Sequence, residues 1–189
     1  MKRLFMTALF GLCASLAGAQ SLELPLHFAS GMVLQQQADV ELWGQAAPGA
    51  EVRIVASWDK APHKTVADDS GRWSVVVRTP EASYAPRTLT FACGRECIVL
   101  NDVLAGDVWL LGGQSNMQMN FHGNADQPVE NAQRILLRCH RPGIRLFRVK
   151  NGYACRESDT IRIEGKWTPA DSTNVKEFSV VGYIFGEKL

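Results

Sequence analysis

The hydrophobic pattern of this chain changes once, between its two halves, and that change limits the possible folds. In the first half apolar and polar residues alternate, as Val52 and Ile54 do with their charged neighbours. Such alternation predicts strands with one buried face. Turn residues separate these stretches at Ala47-Pro48-Gly49 and Asp68-Asp69-Ser70-Gly71. We therefore predict a β-sandwich domain, jelly-roll or immunoglobulin-like, over residues 20–102.

The second half begins with a continuous apolar run, Val108-Trp109-Leu110-Leu111. A short run of this kind predicts a strand buried on both faces, as in a parallel α/β sheet. It ends at Gly112-Gly113-Gln114-Ser115-Asn116, and two glycines before a serine are typical of a tight turn after a strand. In open α/β sheets ligands bind beyond the carboxyl ends of the strands, so Ser115 is a candidate site residue.

The remaining elements are predicted from helical spacing and turn signals. Pro128 to about His140 is predicted to be a helix capped by Asp126 or Gln127, and Ile144 to Val149 a strand. Residues 151–173 are predicted to be mostly loop, and 177–189 a second helix. Strand, helix, strand and helix in this order predict a parallel sheet over residues 103–189. Two strands cannot form a covered parallel sheet, so we expect this domain to be incomplete.

The first nineteen residues have the pattern of a secretory signal peptide. Lys2 and Arg3 precede an apolar stretch that ends in Ala17-Gly18-Ala19. Cleavage after Ala19 predicts a secreted or periplasmic protein. No later stretch reaches about 18 apolar residues, so no membrane anchor is predicted. The formal net charge is +1 and no basic stripe is interleaved with aromatics, so we do not expect nucleic-acid binding.

Four cysteines follow the predicted signal peptide: Cys93, Cys97, Cys139 and Cys155. In an oxidising compartment they could form two disulfides, with Cys93 and Cys97 facing each other across a Gly94-Arg95-Glu96 hairpin loop. Four unpaired thiols that pack as small apolar residues are an equal alternative. The spacing selects none of the three possible pairings. It also lacks the paired pattern of a zinc site, so no metal site is predicted.

The tryptophans of the first half leave a second function open. Trp43 and Trp73 lie inside alternating strands and are predicted to be core residues, whereas Trp58 beside Asp59 and Lys60 is predicted to be exposed. Exposed tryptophans would suit a carbohydrate-binding or adhesion module. A non-functional fragment of a split gene is a further alternative.

Five stretches of the chain resemble one protein family. Gly106 to Met117 resembles the nucleophile block of the sialate O-acetylesterase family, within the SGNH hydrolases. The other four agree with the family in order: His27 to Gln35, Val40 to Gly49, Asp69 to Trp73, and Trp167 to Pro169 with Phe178 to Gly186. The resemblance covers most of residues 27–189, and Gln118 departs from it where relatives often carry Glu.

The resemblance implies a β-sandwich followed by the N-terminal part of a flavodoxin-like SGNH esterase domain. It also implies a serine esterase that removes O-acetyl groups from sialic acids or related sugars without a metal or an organic cofactor. Ser115 matches the nucleophile, and Gly113, Gln114 and Asn116 match the surrounding oxyanion and site loop. The motif is not the Gly-x-Ser-x-Gly elbow, because Met117 occupies the second glycine position.

The histidine and aspartate of the family's triad come from its far end, in an Asp-x-x-His arrangement. His122 and His140 are the histidines that follow Ser115 here, and neither lies in that arrangement. We expect His122 to be a surface loop residue near the site and His140 to be a charge at a helix C-terminus. We therefore expect the chain alone to lack meaningful esterase activity.

Overall fold

The structure, a computed structural model, describes residues 22–149, 155 and 166–189, and the predicted signal peptide lies outside them. The described chain is mostly β-sheet with few helices. Its strands are β1 (Val33–Gln35), β2 (Asp39–Gln45), β3 (Glu51–Ala56), β4 (His63–Val66), β5 (Arg72–Arg78), β6 (Ser83–Cys93), β7 (Glu96–Gly106), β8 (Arg141–Leu146) and β9 (Thr168–Ala170). Its helices are α1 (Ser115–Gln118), α2 (Ala132–Leu136), α3 (Ser172–Glu177) and α4 (Val180–Lys188).

Two sheets make up the first half. One has five strands in the order β1-β7-β6-β3-β4, and the other pairs β2 with β5. Only β1 and β7 pair in parallel; the other pairs of these two sheets are antiparallel. This confirms the antiparallel β-structure predicted from the alternation.

The two sheets share one apolar core. In β3, Val52 and Ile54 are fully buried between exposed neighbours, and Phe91 of β6 lies opposite Ile54. Leu42 of β2 and Val77 of β5 are likewise fully buried in this core. The inward side chains of both sheets therefore belong to one buried cluster, while the alternate residues of β3 remain exposed.

The tryptophans differ in part from their predicted positions. Trp73 is buried at 3% exposure, as predicted, but Trp43 is 40% exposed. Trp43 lies on the outer face because its neighbours in β2, Leu42 and Gly44, take the inward positions. Trp58, predicted to be exposed, is half-buried and donates its indole N–H to the Arg78 carbonyl at 3.0 Å. The prediction was therefore wrong for Trp43 and Trp58.

The structure contains no disulfide bond at Cys93, Cys97, Cys139 or Cys155. The β6–β7 hairpin pairs Cys93 with Glu96 and Ala92 with Cys97, so the loop has two residues and Cys93 and Cys97 project from opposite faces of the sheet. The prediction that they face each other across a three-residue loop is therefore wrong. Gly94 adopts a φ of +57°, which favours glycine in this tight turn.

The apolar run of the second half is not a strand. Val108 to Leu111 is irregular, and Leu110 is 94% exposed. A strand needs hydrogen bonds from a neighbouring strand, and no strand in the described part of the chain pairs with this run. The prediction of a strand buried on both faces was therefore wrong.

The other predicted elements of the second half are present in altered form. Helix α2 is shorter than predicted because Asn131 adopts a left-handed φ of +58° at its start. Strand β8 pairs antiparallel with β9, which was predicted to be loop, and not in parallel with the 108–111 run as predicted. Helix α4 begins at Val180 because Ser179 caps it after α3 has ended. Most of the predicted 151–173 loop lies outside the described residues.

A second, smaller core joins these elements. Phe121, Cys139, Val175 and Tyr183 belong to it, and the Phe121 and Tyr183 rings meet edge to face at 5.9 Å. None of the described helices is long and apolar enough to cross a membrane.

Arg145 and Trp167 are among the residues that join the second half to the first. Arg145 of β8 donates two hydrogen bonds to the Asp102 carboxylate of β7, at 2.6 and 3.0 Å. The Trp167 indole donates to the His27 carbonyl at 2.8 Å, and its ring packs against the first core.

Candidate active site

Ser115 is the first residue of α1, directly after the exposed run. Its side chain is exposed, and its hydroxyl makes no hydrogen bond to any described residue. Its carbonyl accepts from the Met119 N–H at 3.1 Å, which closes the single turn of the helix. The hydroxyl is thus free to meet a ligand, although the predicted buried strand beneath it is absent.

The two glycines before Ser115 differ in what they require. Neither has a positive φ. A side chain at Gly112 would meet open space, whereas a Cβ at Gly113 would lie 2.8 Å from the Met117 Cβ. Gly113 is therefore needed for a close approach within the chain, between the turn and α1.

The start of α1 presents free backbone donors. The N–H groups of Ser115, Asn116 and Met117 have no acceptor among the described residues, as expected in the first turn of a helix. Gln114 occupies the N-cap position without a side-chain cap bond, and both Gln114 and Asn116 are exposed. These predicted site residues therefore adjoin Ser115 in the chain, and their side chains make no hydrogen bond to another described residue.

Helix α1 is attached to the α3–α4 junction. Ser179 donates its hydroxyl to the Met117 sulfur at 3.2 Å and accepts from the Gly182 N–H at 3.1 Å. The Val180 N–H donates to the Met119 carbonyl at 2.9 Å. Sequence reasoning missed Ser179, although a serine directly before an apolar helical stretch is an N-cap signal.

His122 pairs with an acid that is distant in sequence. Its Nε2 lies 2.7 Å from the Glu177 Oε1, and both side chains are about half exposed. This hydrogen bond from His122 is the main reason why the pKa of the Glu177 carboxyl is lowered. His122 is a surface loop residue as predicted, but its partner was missed because 55 residues separate the two.

His140 does not cap a helix. Helix α2 ends at Leu136, and His140 lies directly before β8. The prediction of a charge at a helix C-terminus was therefore wrong, because the helix is shorter than its apolar spacing suggests. No hydrogen bond joins either His122 or His140 to Ser115 in the described part of the chain.

The surroundings of Ser115 are open. One surface depression is lined by α2 and another by Tyr84, β8 and α4, and neither includes Ser115. Within residues 22–149, 155 and 166–189, no three His, Cys, Asp or Glu side chains come together as a metal site requires. The described residues therefore offer a free hydroxyl beside free amide donors, and no histidine or acid among them is hydrogen-bonded to that hydroxyl.

Comparison with known proteins gives consistent matches. No family model matches the chain. The chain is 30% identical over 181 residues to the sialate O-acetylesterases of Pongo abelii and Homo sapiens, and the match covers 86% of the chain. It is 27% identical to the sialate O-acetylesterase of Mus musculus, with 84% of the chain covered. The matches cover 33% and 31% of those relatives, so the chain spans about a third of their length.

A solved structure agrees with these matches. A carbohydrate acetylesterase from Xanthomonas citri superposes with a TM-score of 0.79 at 29% sequence identity. The superposition covers 89% of this chain and 37% of the Xanthomonas chain.

Proposed function

Since this chain belongs to the sialate O-acetylesterase family, through the N-terminal part of that family, we propose that it carries the nucleophile of a serine carbohydrate esterase. The substrate is an O-acetylated sialic acid or a related acetylated sugar. The observation that carries the proposal is the free, exposed hydroxyl of Ser115, held on a helix that α4 supports. It lies in a chain of which 89% superposes on an acetylesterase.

The proposed chemistry is acyl transfer through Ser115. Its Oγ attacks the acetyl carbonyl, the sugar hydroxyl leaves with a proton, and an acetyl-enzyme forms. Water then attacks the acetyl-enzyme and releases acetate. The N–H group of Ser115, with its neighbours at the start of α1, stabilises the oxyanion. No metal or organic cofactor takes part.

Activation of Ser115 requires a histidine and an acid that orients it. His122 is hydrogen-bonded to Glu177 and not to Ser115. We therefore assign the base and its acid to polypeptide that this chain does not contain. Loss of a triad member costs about 10⁴ to 10⁶ in turnover, so the chain alone is inactive in this proposal.

The proposal includes an architecture and a location. Residues 20–102 form a β-sandwich module, and residues 103–189 are the beginning of an α/β esterase domain. The shared core of the two sheets supports the first assignment. The signal pattern of residues 1–19 supports export to the periplasm or the cell exterior.

The test joins this chain to the part of the Xanthomonas acetylesterase that lies outside the match. A fluorophosphonate probe should label the fusion at Ser115, and the fusion should hydrolyse an aryl acetate. Ser115→Ala should abolish labelling and lower turnover at least 10⁴-fold, whereas Ser172→Ala, at an exposed serine of α3, should change neither.

Two results would contradict the proposal. A fusion that is folded by circular dichroism but not labelled would show that Ser115 is not a nucleophile. Serine-dependent turnover by the 189-residue chain alone, at the rate of full-length relatives, would show that the base lies within it.

One observation favours a second function, a carbohydrate-binding module. The exposed Trp43 ring lies 5.1 Å from the half-buried His27 ring and 4.7 Å from the buried Phe28 ring, so one indole, supported from behind by two rings, faces solvent beside β2. Glycan binding that survives Ser115→Ala and is lost in Trp43→Ala would favour this function over the esterase.

A further inference from the structure

The Met117 side chain lies between the loop that carries Ser115 and the start of α4. A Cβ on Gly113 would lie 2.8 Å from the Met117 Cβ and 3.5 Å from its Cγ. The Met117 sulfur accepts a hydrogen bond from the Ser179 hydroxyl at 3.2 Å. Because Met117 belongs to α1, which begins at Ser115, its thioether fixes the position of that helix against α4.

The Ser179 hydroxyl connects this thioether to the cap of α4. It donates to the Met117 sulfur and accepts from the Gly182 N–H at 3.1 Å, which caps the helix. A thioether sulfur is a weak hydrogen-bond acceptor. A stronger acceptor at the sulfur would therefore draw the hydroxyl towards itself and disturb both the cap and the contact between α1 and α4.

The described methionines differ in exposure and in contacts. Met32 is 1% exposed, whereas Met117 and Met119 are half-buried. The Met119 sulfur makes no hydrogen bond to another described residue. Exposed thioethers are oxidised more readily than buried ones, so an oxidant should reach Met117 and Met119 before Met32. Of these three side chains, Met117 is the one whose sulfur bonds to a helix cap.

We infer that Met117 is a reversible oxidation site, at which hydrogen peroxide forms a sulfoxide that separates α1 from α4 and lowers the reactivity of Ser115. The last step, from α1 to Ser115, rests on the proposed function. In the reaction a sulfur lone pair attacks one peroxide oxygen, and the S–O bond forms as the O–O bond breaks. The sulfur loses two electrons, and the peroxide is reduced to water. A dithiol reductant reverses the step: the sulfoxide oxygen leaves as water and the dithiol becomes a disulfide.

The packing explains why one added oxygen matters here. Oxidation turns an apolar thioether into a larger, polar and chiral group. Gly113 and Ser179 both contact the Met117 side chain, so an oxygen on the sulfur has to displace a neighbour. If the Ser179 hydroxyl follows the oxygen, the Gly182 N–H loses its cap, and if the sulfoxide turns away, α1 loses its bond to α4.

The first test treats the 189-residue chain with hydrogen peroxide and maps the products by peptide mass. Met117 should gain one oxygen atom at least tenfold faster than Met32. In the oxidised chain the Gly182 amide should exchange hydrogen at least threefold faster, with unchanged exchange in β3 and β6. A methionine sulfoxide reductase supplied with a dithiol should restore the original exchange rate.

Two variants assign the effect to one sulfur. Met119→Leu removes the neighbouring half-buried thioether and should keep the full response of Gly182 to peroxide. Met117→Leu should abolish the response, when each variant is compared with its own untreated sample. The exposed Cys97 and Cys155 are present in both variants, so a response caused by thiol oxidation would persist in Met117→Leu. Both variants should keep the circular dichroism spectrum of the parent chain.

The second test uses the fusion described above, with peroxide removed by catalase before the fluorophosphonate probe is added. Peroxide should slow labelling of Ser115 at least tenfold in the parent fusion and in Met119→Leu. In Met117→Leu the ratio of the labelling rates after and before peroxide should stay near one. The reductase should restore labelling of the parent fusion.

Each other outcome has a defined meaning. Oxidation of Met117 no faster than that of Met32, unchanged exchange of Gly182 after oxidation, or a response that persists in Met117→Leu would each overturn the inference. Equal labelling before and after peroxide would overturn it and leave the proposed esterase standing. A fusion that is not labelled before peroxide, in a protein whose Gly182 amide responds as expected, would contradict the proposed esterase and leave the oxidation site standing.

Discussion

Two regions of the molecule bury their apolar residues in different ways. We call residues 22–106 the β-region, and residues 107–149 with 166–189 the helical region. In the β-region the inward side chains of both sheets meet each other, and Val52, Ile54 and Phe91 have no exposed surface. In the helical region a smaller core forms around Tyr183, while Leu110 remains 94% exposed. The period-two strands therefore bury their apolar residues against one another, whereas the continuous apolar run Val108–Leu111 has no pairing strand among the described residues.

The largest difference should appear when one large side chain is removed from each core. Phe91→Ala should lower the free energy of unfolding by about 3–5 kcal/mol, because a fully buried ring leaves a cavity. Phe91→Ala should make both regions sensitive to trypsin, because Trp167 and Arg145 of the helical region contact the β-region. Urea unfolding, followed by tryptophan fluorescence, measures the change.

Phe121→Ala is the matched substitution in the second core, where Phe121 is 5% exposed. We expect trypsin to digest the helical region of this variant and to leave a resistant product that ends near Gly106, the end of β7. Equal digestion of both regions in this variant would show that they unfold as one unit.

The ion pair between the regions should have an intermediate effect. Arg145 is nearly buried, but Asp102 is half exposed, so we expect Asp102→Asn to cost about 1–2 kcal/mol at pH 7. Asn tolerates the left-handed φ of +56° at this position, so the substitution tests the charge and not the backbone.

The same pair predicts a pH dependence. The hydrogen bonds from Arg145 are the main reason why the pKa of the Asp102 carboxyl is lowered. A carboxyl with a lowered pKa in the folded state stabilises the fold above its unfolded pKa of about 4, and this contribution is lost as the pH falls through the folded value. The difference in urea midpoint between wild type and Asp102→Asn should therefore shrink between pH 5 and pH 2. A difference that stays constant over this range would contradict the assignment.

The smallest effect should come from the cap that joins α1 to α4. Ser179→Ala removes the acceptor for the Gly182 N–H and the donor to Met117, and should cost about 1 kcal/mol in the helical region alone. Ser179→Thr keeps the hydroxyl and should restore most of the loss. Amide hydrogen exchange should show faster opening of α4 with an unchanged β-region, and faster exchange in both regions would argue against a local cap.

The sequence predicts local features well and distant partners poorly. Alternation in β3 and the burial of Trp73 follow from period two, which needs only neighbouring residues. Trp43 also alternates, but the pattern does not say which set of residues faces inward, and Leu42 with Gly44 takes that side. The left-handed turn at Asn131 shortens α2 although the apolar spacing continues past it.

At the candidate site, the motif predicts Ser115 and its loop because the signal lies in consecutive residues, and the structure places Ser115 exposed at the start of α1. The contacts of Ser179 with Met117 and of Glu177 with His122 could not be predicted, since each joins residues more than 50 positions apart. The N-cap role of Ser179 does carry a local signal. The Val108–Leu111 run was predicted to be a buried strand because all four of its residues are apolar. Composition alone does not show whether the described chain contains a strand that pairs with this run.

The pairing of Arg145 with Asp102 has an evolutionary consequence. A lineage that replaces the guanidinium leaves an unneutralised carboxylate at the junction, and one that replaces the carboxylate leaves a nearly buried cation. Replacing either residue alone should therefore lower stability, so among homologues we expect the two positions to change together. Correlated substitution at this pair would indicate that the β-region and the helical region have evolved together.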